Sequence, residues 1–267
     1  MAIEIKSPSE IAIMREAGVI LADVLDIAIE AIQPGVRETD IDDLVRREFE
    51  ERDVIPTFLG YNGYPATVCI SVNEKIVHGI PSRRAFKAGD VVSVDLGCTH
   101  RGFVADSART IAVGDVAPEV LELIAATQQA LDVGIEQLTL GNRLGDVGAA
   151  IQQVGEVRGY GVVREYVGHG VGRRMHEDPQ VPNYGEPGRG IRLRAGMVLA
   201  LEPMFNLGTW RTARDADEWT VRTADGSLSA HFEHTVAVTE QGPLILTTNR
   251  TPAEETGSPL SSTAGIQ

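Results

Sequence analysis

Only two cysteines, Cys69 and Cys98, occur in the 267 residues. That is too few for a disulfide framework, and neither stands in a Cys-x-x-Cys pair of the kind that holds a structural zinc. Positive charge is also scarce: 24 Lys+Arg against 38 Asp+Glu leave a formal net charge of −14. Such a balance lacks the basic footprint of a nucleic-acid binder or of a protein held to an anionic membrane. No apolar run approaches the ~18 residues of a membrane span. The most apolar helical stretch, Ala17 to Ile32, is broken by Asp23, Asp26 and Glu30. The opening MAIEIKSPSE has no basic-then-apolar leader pattern, so nothing in it suggests export. These absences together favour a reducing, cytoplasmic setting. What remains is ordinary globular material, 43% hydrophobic and 23% charged, enough for one large domain or two small ones.

Ser7-Pro8-Ser9-Glu10 reads as a helix start, with Ser7 as cap, Pro8 at the first helical position and Glu10 where a capping box wants an acid. Apolar residues then recur at Met14, Ala17, Leu21, Val24/Leu25, Ala28 and Ile32, the spacing of one buried helix face, and Gln33-Pro34-Gly35 ends it. Asp40 is expected to start a second amphipathic helix, through about Glu51. Short β-rich runs follow at Thr67–Val72, Val91–Leu96 and Phe103–Val113. Helices are then expected from Pro118 to about Leu138 and over Asp146–Val157, and strands again from Val162 to about Val238. Helices, strands, helices, strands indicate α+β rather than alternating α/β. The Ser-, Thr-, Gly- and Pro-rich stretch 248–267 is expected to be a disordered tail.

That order hides a duplication. Gly35-x-Arg37-x-x-Asp40-Ile41 recurs as Gly141-x-Arg143-x-x-Asp146-Val147, and Phe86-Lys-Ala-Gly-Asp-Val-Val-Ser-Val-Asp95 recurs as Leu193-Arg-Ala-Gly-Met-Val-Leu-Ala-Leu-Glu202. The offsets, 106 and 107 residues, imply two similar halves, about 5–113 and 114–245, within a single domain of residues 1–247. The second match sets Asp95 and Glu202 at equivalent positions, each at the end of an apolar strand. Across a pseudo-twofold axis the two carboxylates can converge.

Further acids sit on strands. Asp106 lies in Gly-Phe-Val-Ala-Asp-Ser-Ala-Arg-Thr, and a hairpin turn centred between His100 and Arg101 is expected to put it directly opposite Asp95. Like charges there repel, so a divalent cation between them is the natural compensation. The alternative is that one Asp faces solvent or pairs with Arg101 or Arg109. Glu202 precedes Pro203, which cannot continue a ladder, so the strand should end with the acid at its mouth. In Ala-His-Phe-Glu-His-Thr-Val-Ala-Val, alternation puts His231, Glu233 and Thr235 on one face. Glu233 in so apolar a strand wants a cation, unless the strand is an edge and the acid is in water. Gly168-His169-Gly170-Val171-Gly172-x-x-x-His176 allows close backbone approach around His169. Its seven-residue histidine spacing is not that of two helical zinc ligands, so the two histidines take different roles. Four carboxylates and one imidazole suit a pair of divalent ions better than a structural zinc. Such a pair polarises carbonyls and activates water in hydrolases.

The set Asp95, Asp106, His169, Glu202 and Glu233 resembles the metal site of the type I methionine aminopeptidases, peptidase family M24. The stretch Tyr166-Val-Gly-His169-Gly-Val-Gly-x-x-x-His176, continuing to Val181-Pro-Asn183-Tyr184, resembles the family signature, and Thr67-Val-Cys69-Ile-Ser-Val-Asn73-Glu-x-x-x-His78-Gly-Ile-Pro resembles its other hallmark. The similarity covers roughly residues 5 to 245. It implies the pita-bread fold, with two pseudo-symmetric halves around a central metal site, and removal of initiator methionine from chains with a small second residue, as in Met1-Ala2 here.

By the resemblance, two divalent ions (Co, Mn, Fe or Zn) are held, with Asp95 chelating one, Asp106 and Glu233 bridging both, and His169 and Glu202 completing the other. Glu202 also handles the proton of the attacking water. His78 contacts the substrate backbone or leaving amine, and His176 binds the scissile carbonyl. Pocket candidates are Phe58, Tyr61, Tyr64, Cys69, Met175, Phe205 and Trp219. Phe58 and Met175 stand where Cys and Phe are expected in familiar bacterial members, which changes the pocket's outline rather than the reaction. Asn73 and Ser229 match positions that hold a monovalent cation in some members. Expected partners are nascent N-termini, with at most a transient ribosome contact through the catalytic domain, and neither nucleic acid nor membrane; the chain is expected to be monomeric. The competing readings are an Xaa-Pro peptidase or a creatinase-like amidinohydrolase of the same fold, both disfavoured because those relatives usually carry an added N-terminal domain. A non-catalytic pita-bread binding module is disfavoured because all five ligands and both histidines are present.

Overall fold

The computed structural model describes residues 3–249, and the expected disordered tail falls almost wholly on residues 250–267, outside them. Helix α1 (Pro8–Ala31) starts where its sequence dictates. The Glu10 amide donates to Ser7 Oγ at 3.3 Å while the Glu10 carboxylate accepts from the Ser7 amide at 2.9 Å, closing a capping box. Its expected stripe from Met14 to Ala28 is buried. Helices α2 (Glu38–Glu51) and α4 (Leu144–Glu156) each begin two residues earlier than Asp40 and Asp146 suggest. Those acids are not the caps. They lie inside the first turn and accept the amides of Arg37 and Arg143, at 3.0 and 2.7 Å. Helix α3 (Pro118–Glu136) stops two residues short of Leu138.

The strands are β1 (Ile55–Pro56), β2 (Val68–Val72), β3 (Lys75–Val77), β4 (Val91–His100), β5 (Phe103–Ala112), β6 (Gly161–Val162), β7 (Gly168–Gly170) and β8 (Glu177–Val181). They continue as β9 (Val198–Leu201), β10 (Met204–Asn206), β11 (Thr212–Arg214), β12 (Val221–Thr223), β13 (Ser229–His231), β14 (Glu233–Thr239) and β15 (Gly242–Ile245). The main sheet runs β1-β4-β5-β14-β9-β7-β8, with β2 added on β4 and β15 on β14, and two three-stranded sheets, β13-β10-β6 and β11-β12-β3, complete the set. The architecture is α+β.

The duplication is visible in atoms. Gly35 and Gly141 both hold positive φ, at 95° and 105°. Arg37 bridges Ala85 as Arg143 bridges Arg192. In the main sheet β5 meets β14 at the centre, flanked by β4 with Asp95 and by β9, after which Glu202 follows. Each half has its own core: α1 and α2 pack on β2 and β4, while α3 and α4 pack around Leu199, Leu201 and Phe205. A third cluster, including Phe58, Cys69 and Met175, lies between them.

Two register expectations need correction. The β4–β5 turn is Arg101-Gly102, with both residues at positive φ, 49° and 80°, as a two-residue primed turn requires. His100 therefore pairs with Phe103, Gly97 with Asp106, and Asp95 with Ala108. Asp95 and Asp106 are diagonal neighbours on one face, not direct opposites. The expected strand through His231 and Glu233 also breaks at Phe232: His231 ends β13 in one sheet, and Glu233 opens β14 in another.

Candidate active site

A cavity of about 240 Å³ opens between the halves. Its floor carries acids delivered by the central strands. Asp106 on β5, His169 on β7 and Glu233 on β14 each offer a ligand atom within 4.8 Å of the others. Asp95 on β4 and Glu202 after β9 line the same cavity, and His169 Nε2 lies 3.7 Å from Asp106 Oδ2 and 3.8 Å from Glu202 Oε1. All five expected ligands are brought together. Neither arginine neutralises the acids: Arg101 pairs with Glu16 and Arg109 with Asp26. Glu233 is 2% exposed on an internal strand, so the alternative of an edge-strand acid in water is excluded.

Local bonds fix these groups. Thr235 Oγ1 accepts the Asp106 amide at 3.0 Å and donates to its carbonyl at 2.8 Å. Ser107 Oγ donates to the Glu233 carbonyl, and Asn183 Nδ2 to that of Glu202. His169 Nδ1 lies 2.9 Å from the Gly170 carbonyl. A proton on Nδ1 then leaves the Nε2 lone pair facing the carboxylates, the state a metal ligand needs.

The electrostatics call for a cation. Buried carboxylate oxygens Asp95 Oδ1, Asp106 Oδ1 and Glu233 Oε1 have no hydrogen-bond partner, a costly state for a charged group. Burial, with repulsion from Asp106 and Glu202, pushes Asp95 well above the carboxylate range. Burial, then Asp106, does the same to Glu233. Glu202 is pushed up to about 8, chiefly by burial, with His169 opposing and Asp106 adding. Burial disfavours charged His169, yet Asp106 and Glu202 outweigh it and hold its pKa above the usual value. An oxygen-rich donor set with one imidazole and orphaned carboxylate oxygens fits divalent metal.

The cavity wall is aromatic and thioether. Phe58 leans over Gly97, where an added Cβ would sit 2.7 Å from the ring; glycine opposite Asp106 is what admits that ring. Tyr64 has its hydroxyl donating to the Gly79 and Val68 carbonyls, at 2.9 and 3.1 Å, and its ring edge-on to Trp219 at 5.1 Å. Cys69 faces Asp95 across β2–β4, and burial, then Asp95, pushes its thiol pKa up. Met175 completes the wall. Tyr61 and His176 share a 2.7 Å hydrogen bond through the phenol and Nδ1. Burial, then His169, lowers His176 to about 4, and burial lowers His78 to about 4, so both are neutral near pH 7. His78 sits at φ 59°, a strained value for a non-glycine residue, with its ring against Tyr166 and Trp219.

One expected pocket residue is elsewhere. Phe205 on β10 is wholly buried in the core of the second half, against Tyr160 and Gly155; its strand belongs to the β13-β10-β6 sheet, and no residue of that strand lines the cavity. Asn62, outside the expected set, lines the cavity at φ 48°. The signal was there, in the turn-forming Gly60-Tyr-Asn-Gly63. Asn73 and Ser229 are adjacent, the Ser229 amide donating to the Asn73 carbonyl at 3.0 Å.

The pattern of metallopeptidase family M24 matches residues 12–240. The chain is 48% identical over 244 residues to methionine aminopeptidase of Clostridium acetobutylicum, covering 91% of this chain and 98% of that one. The crystal structure of methionine aminopeptidase from Thermotoga maritima superposes with a TM-score of 0.91 at 48% identity, covering 92% and 99% of the two chains. Prolidase from Pyrococcus horikoshii superposes at 0.73 with 25% identity, and this chain spans 64% of it. These neighbours share the pita-bread fold.

Proposed function

The chain belongs to metallopeptidase family M24, and from that premise we propose that it removes the initiator methionine from nascent proteins and peptides with a small second residue. The carrying observation is the convergence of Asp106, His169 and Glu233 in one ligand sphere, flanked by Asp95 and Glu202, beneath an apolar wall. Residues up to about 247 act as a single catalytic domain in this reading.

Asp95, Asp106, His169, Glu202 and Glu233 are the residues that would hold a pair of divalent ions. Mn, Fe, Co and Zn all accept such a set. When bound, they polarise the scissile carbonyl and make water nucleophilic at neutral pH. Glu202 takes the proton of the attacking water at its carboxylate and passes it toward the leaving amine. Neutral His176, oriented through Tyr61, donates to the carbonyl oxygen as negative charge grows there. His78 hydrogen-bonds the substrate backbone. Phe58, Tyr64, Cys69, Met175 and Trp219 enclose the methionine side chain, whose sulfur gains from the aromatic edges, and Tyr61 closes one side. Asn73 and Ser229 are the residues that would hold a monovalent cation, their backbones already joined by the Ser229 amide. The reading places a monomer in the cytoplasm, acting on emerging N-termini with at most transient ribosome contact.

The test is hydrolysis of Met-Ala-Ser against Ala-Pro-Ser and Met-Lys-Ser, metal-free and with Mn²⁺ or Co²⁺, with Asp106→Asn as control. Metal-dependent cleavage of Met-Ala-Ser alone, lost in the variant, supports the proposal. Preference for a proline-containing substrate would move the chain to the second reading, an Xaa-Pro peptidase, which the prolidase likeness keeps in view. No cleavage with any metal would leave a binding module.

A further inference from the structure

We propose that Lys6 is a positioning residue for His176: locked to Glu177 in the interior, its ammonium holds the loop from Val171 to His176 so that Met175 and His176 face the cavity. The inference rests on the role given to His176 above. Lys6 and Glu177 are each 6% exposed, and Lys6 Nζ lies 2.5 Å from Glu177 Oε2. They are 171 residues apart in the chain, so only the fold unites them. Lys6 is itself anchored, its amide donating to the Gly196 carbonyl at 2.7 Å.

Glu177 ties both ends of the loop. It follows His176 directly, and on β8 it pairs with Gly170 of β7, beside the ligand His169. Its second oxygen, Oε1, accepts the Arg174 amide at 3.1 Å, and the Arg174 carbonyl accepts the Gly172 amide at 3.2 Å. The loop therefore folds around the carboxylate that Lys6 fixes. The fit is close: a Cβ on Gly172 would lie 2.4 Å from Lys6 Cε and 2.8 Å from Glu177 Oε1. On the outer face Arg173 pairs with Glu10 at 3.3 Å and covers the Phe103 ring at 4.3 Å, so the loop is gripped from both sides.

Stability alone is a poor account of this pair, because apolar replacement of buried ion pairs is often neutral or stabilising. Directional placement is what it offers. The carbonyl-binding imidazole lies one residue from the clamp, and a misplacement of about 1 Å can cost roughly 100-fold in rate.

The test is Lys6→Met, which keeps the stem and removes the charge, with Glu177→Gln as the second variant because it retains an oxygen for the Arg174 amide. Each is compared with the wild type for kcat and KM on Met-Ala-Ser at saturating Mn²⁺. Mn²⁺ affinity, exchange of the Arg174 amide and the His176 ring ¹⁵N–¹H signal are measured alongside. Expected are a kcat lower by about tenfold or more, a KM that rises by a smaller factor as Met175 loosens, Mn²⁺ affinity changed less than about threefold, a shifted His176 signal in both variants, and faster Arg174 exchange in Lys6→Met. If Lys6→Met does not fold, Glu177→Gln decides. A folded variant with wild-type kcat and an unmoved His176 signal overturns the proposal. If the wild type itself does not cleave Met-Ala-Ser, the methionine reading fails instead, and Arg174 exchange with the His176 signal still decides the role of Lys6.

Discussion

Replacing Glu202 with glutamine separates what the acid does for the fold from what it does for metal. In the metal-free protein Glu202 is pushed from 4.5 to about 8, mainly by burial. The folded state thus keeps a proton that the unfolded chain releases near pH 4.5. Where the native state binds more protons, stability falls as pH rises. The loss begins above the unfolded value and is complete above the folded one, a window of about 4.5 to 8. Each pKa unit is worth about 1.36 kcal/mol, so Glu202 costs the metal-free fold on the order of 5 kcal/mol by the upper end. His78, His176 and His234, lowered to about 4, and His231, lowered to about 3, contribute the opposite slope up to about pH 6.5. The difference between Glu202→Gln and wild type cancels them. In chelator the two proteins should melt together near pH 4.5. By pH 8 the glutamine variant should be more stable by several kcal/mol, or roughly 10–20 °C at about 2–4 °C per kcal/mol. With saturating Mn²⁺ the order should reverse, because the neutral amide is the poorer ligand. Parallel melting curves in chelator across that range, or a more stable wild type at pH 8, would refute the burial argument.

Metal binding at pH 7 should release at least one proton, since Asp95, Glu202 and Glu233 all sit above their usual ranges; calorimetry in buffers of different ionisation enthalpy reads this, and a buffer-independent heat would contradict it. Gly97→Ala should drive Phe58 into the pocket, since the new Cβ would lie 2.7 Å from its ring. KM for Met-Ala-Ser should rise by about tenfold, a cost within the 1–3 kcal/mol of overpacking, with Mn²⁺ affinity unchanged; an unaltered KM would show that the ring moves elsewhere. Phe205→Leu should lower stability by roughly 1–3 kcal/mol without changing the preference for methionine. Altered selectivity in a folded Phe205→Leu protein would return that residue to the pocket.

Much of the architecture was legible because it is local. The α1 start follows from Ser7, Pro8 and Glu10 alone, and the strand end just before Glu202 follows from Pro203. Helices α2 and α4 both start two residues before the acid that marks them in sequence, because Asp40 and Asp146 reach back from the first turn to the amides of Arg37 and Arg143. The Asp95–Asp106 register depended on which two residues turn. Arg101 at φ 49° is an unusual choice that no propensity favours. The split at Phe232 and the place of Phe205 in the core depended on which sheet each short strand joins.

The sequence by itself determined which acids and histidines are candidates for metal, the duplication and the capped start of α1, which depend on residue type, periodicity and hydrogen bonds within a few positions. Only the tertiary structure decided which carboxylate oxygens are stranded without partners, which aromatic side chains face the cavity, and that Lys6 meets Glu177 in the interior. Those outcomes follow from packing and desolvation summed over segments distant in the chain, and no local pattern encodes them.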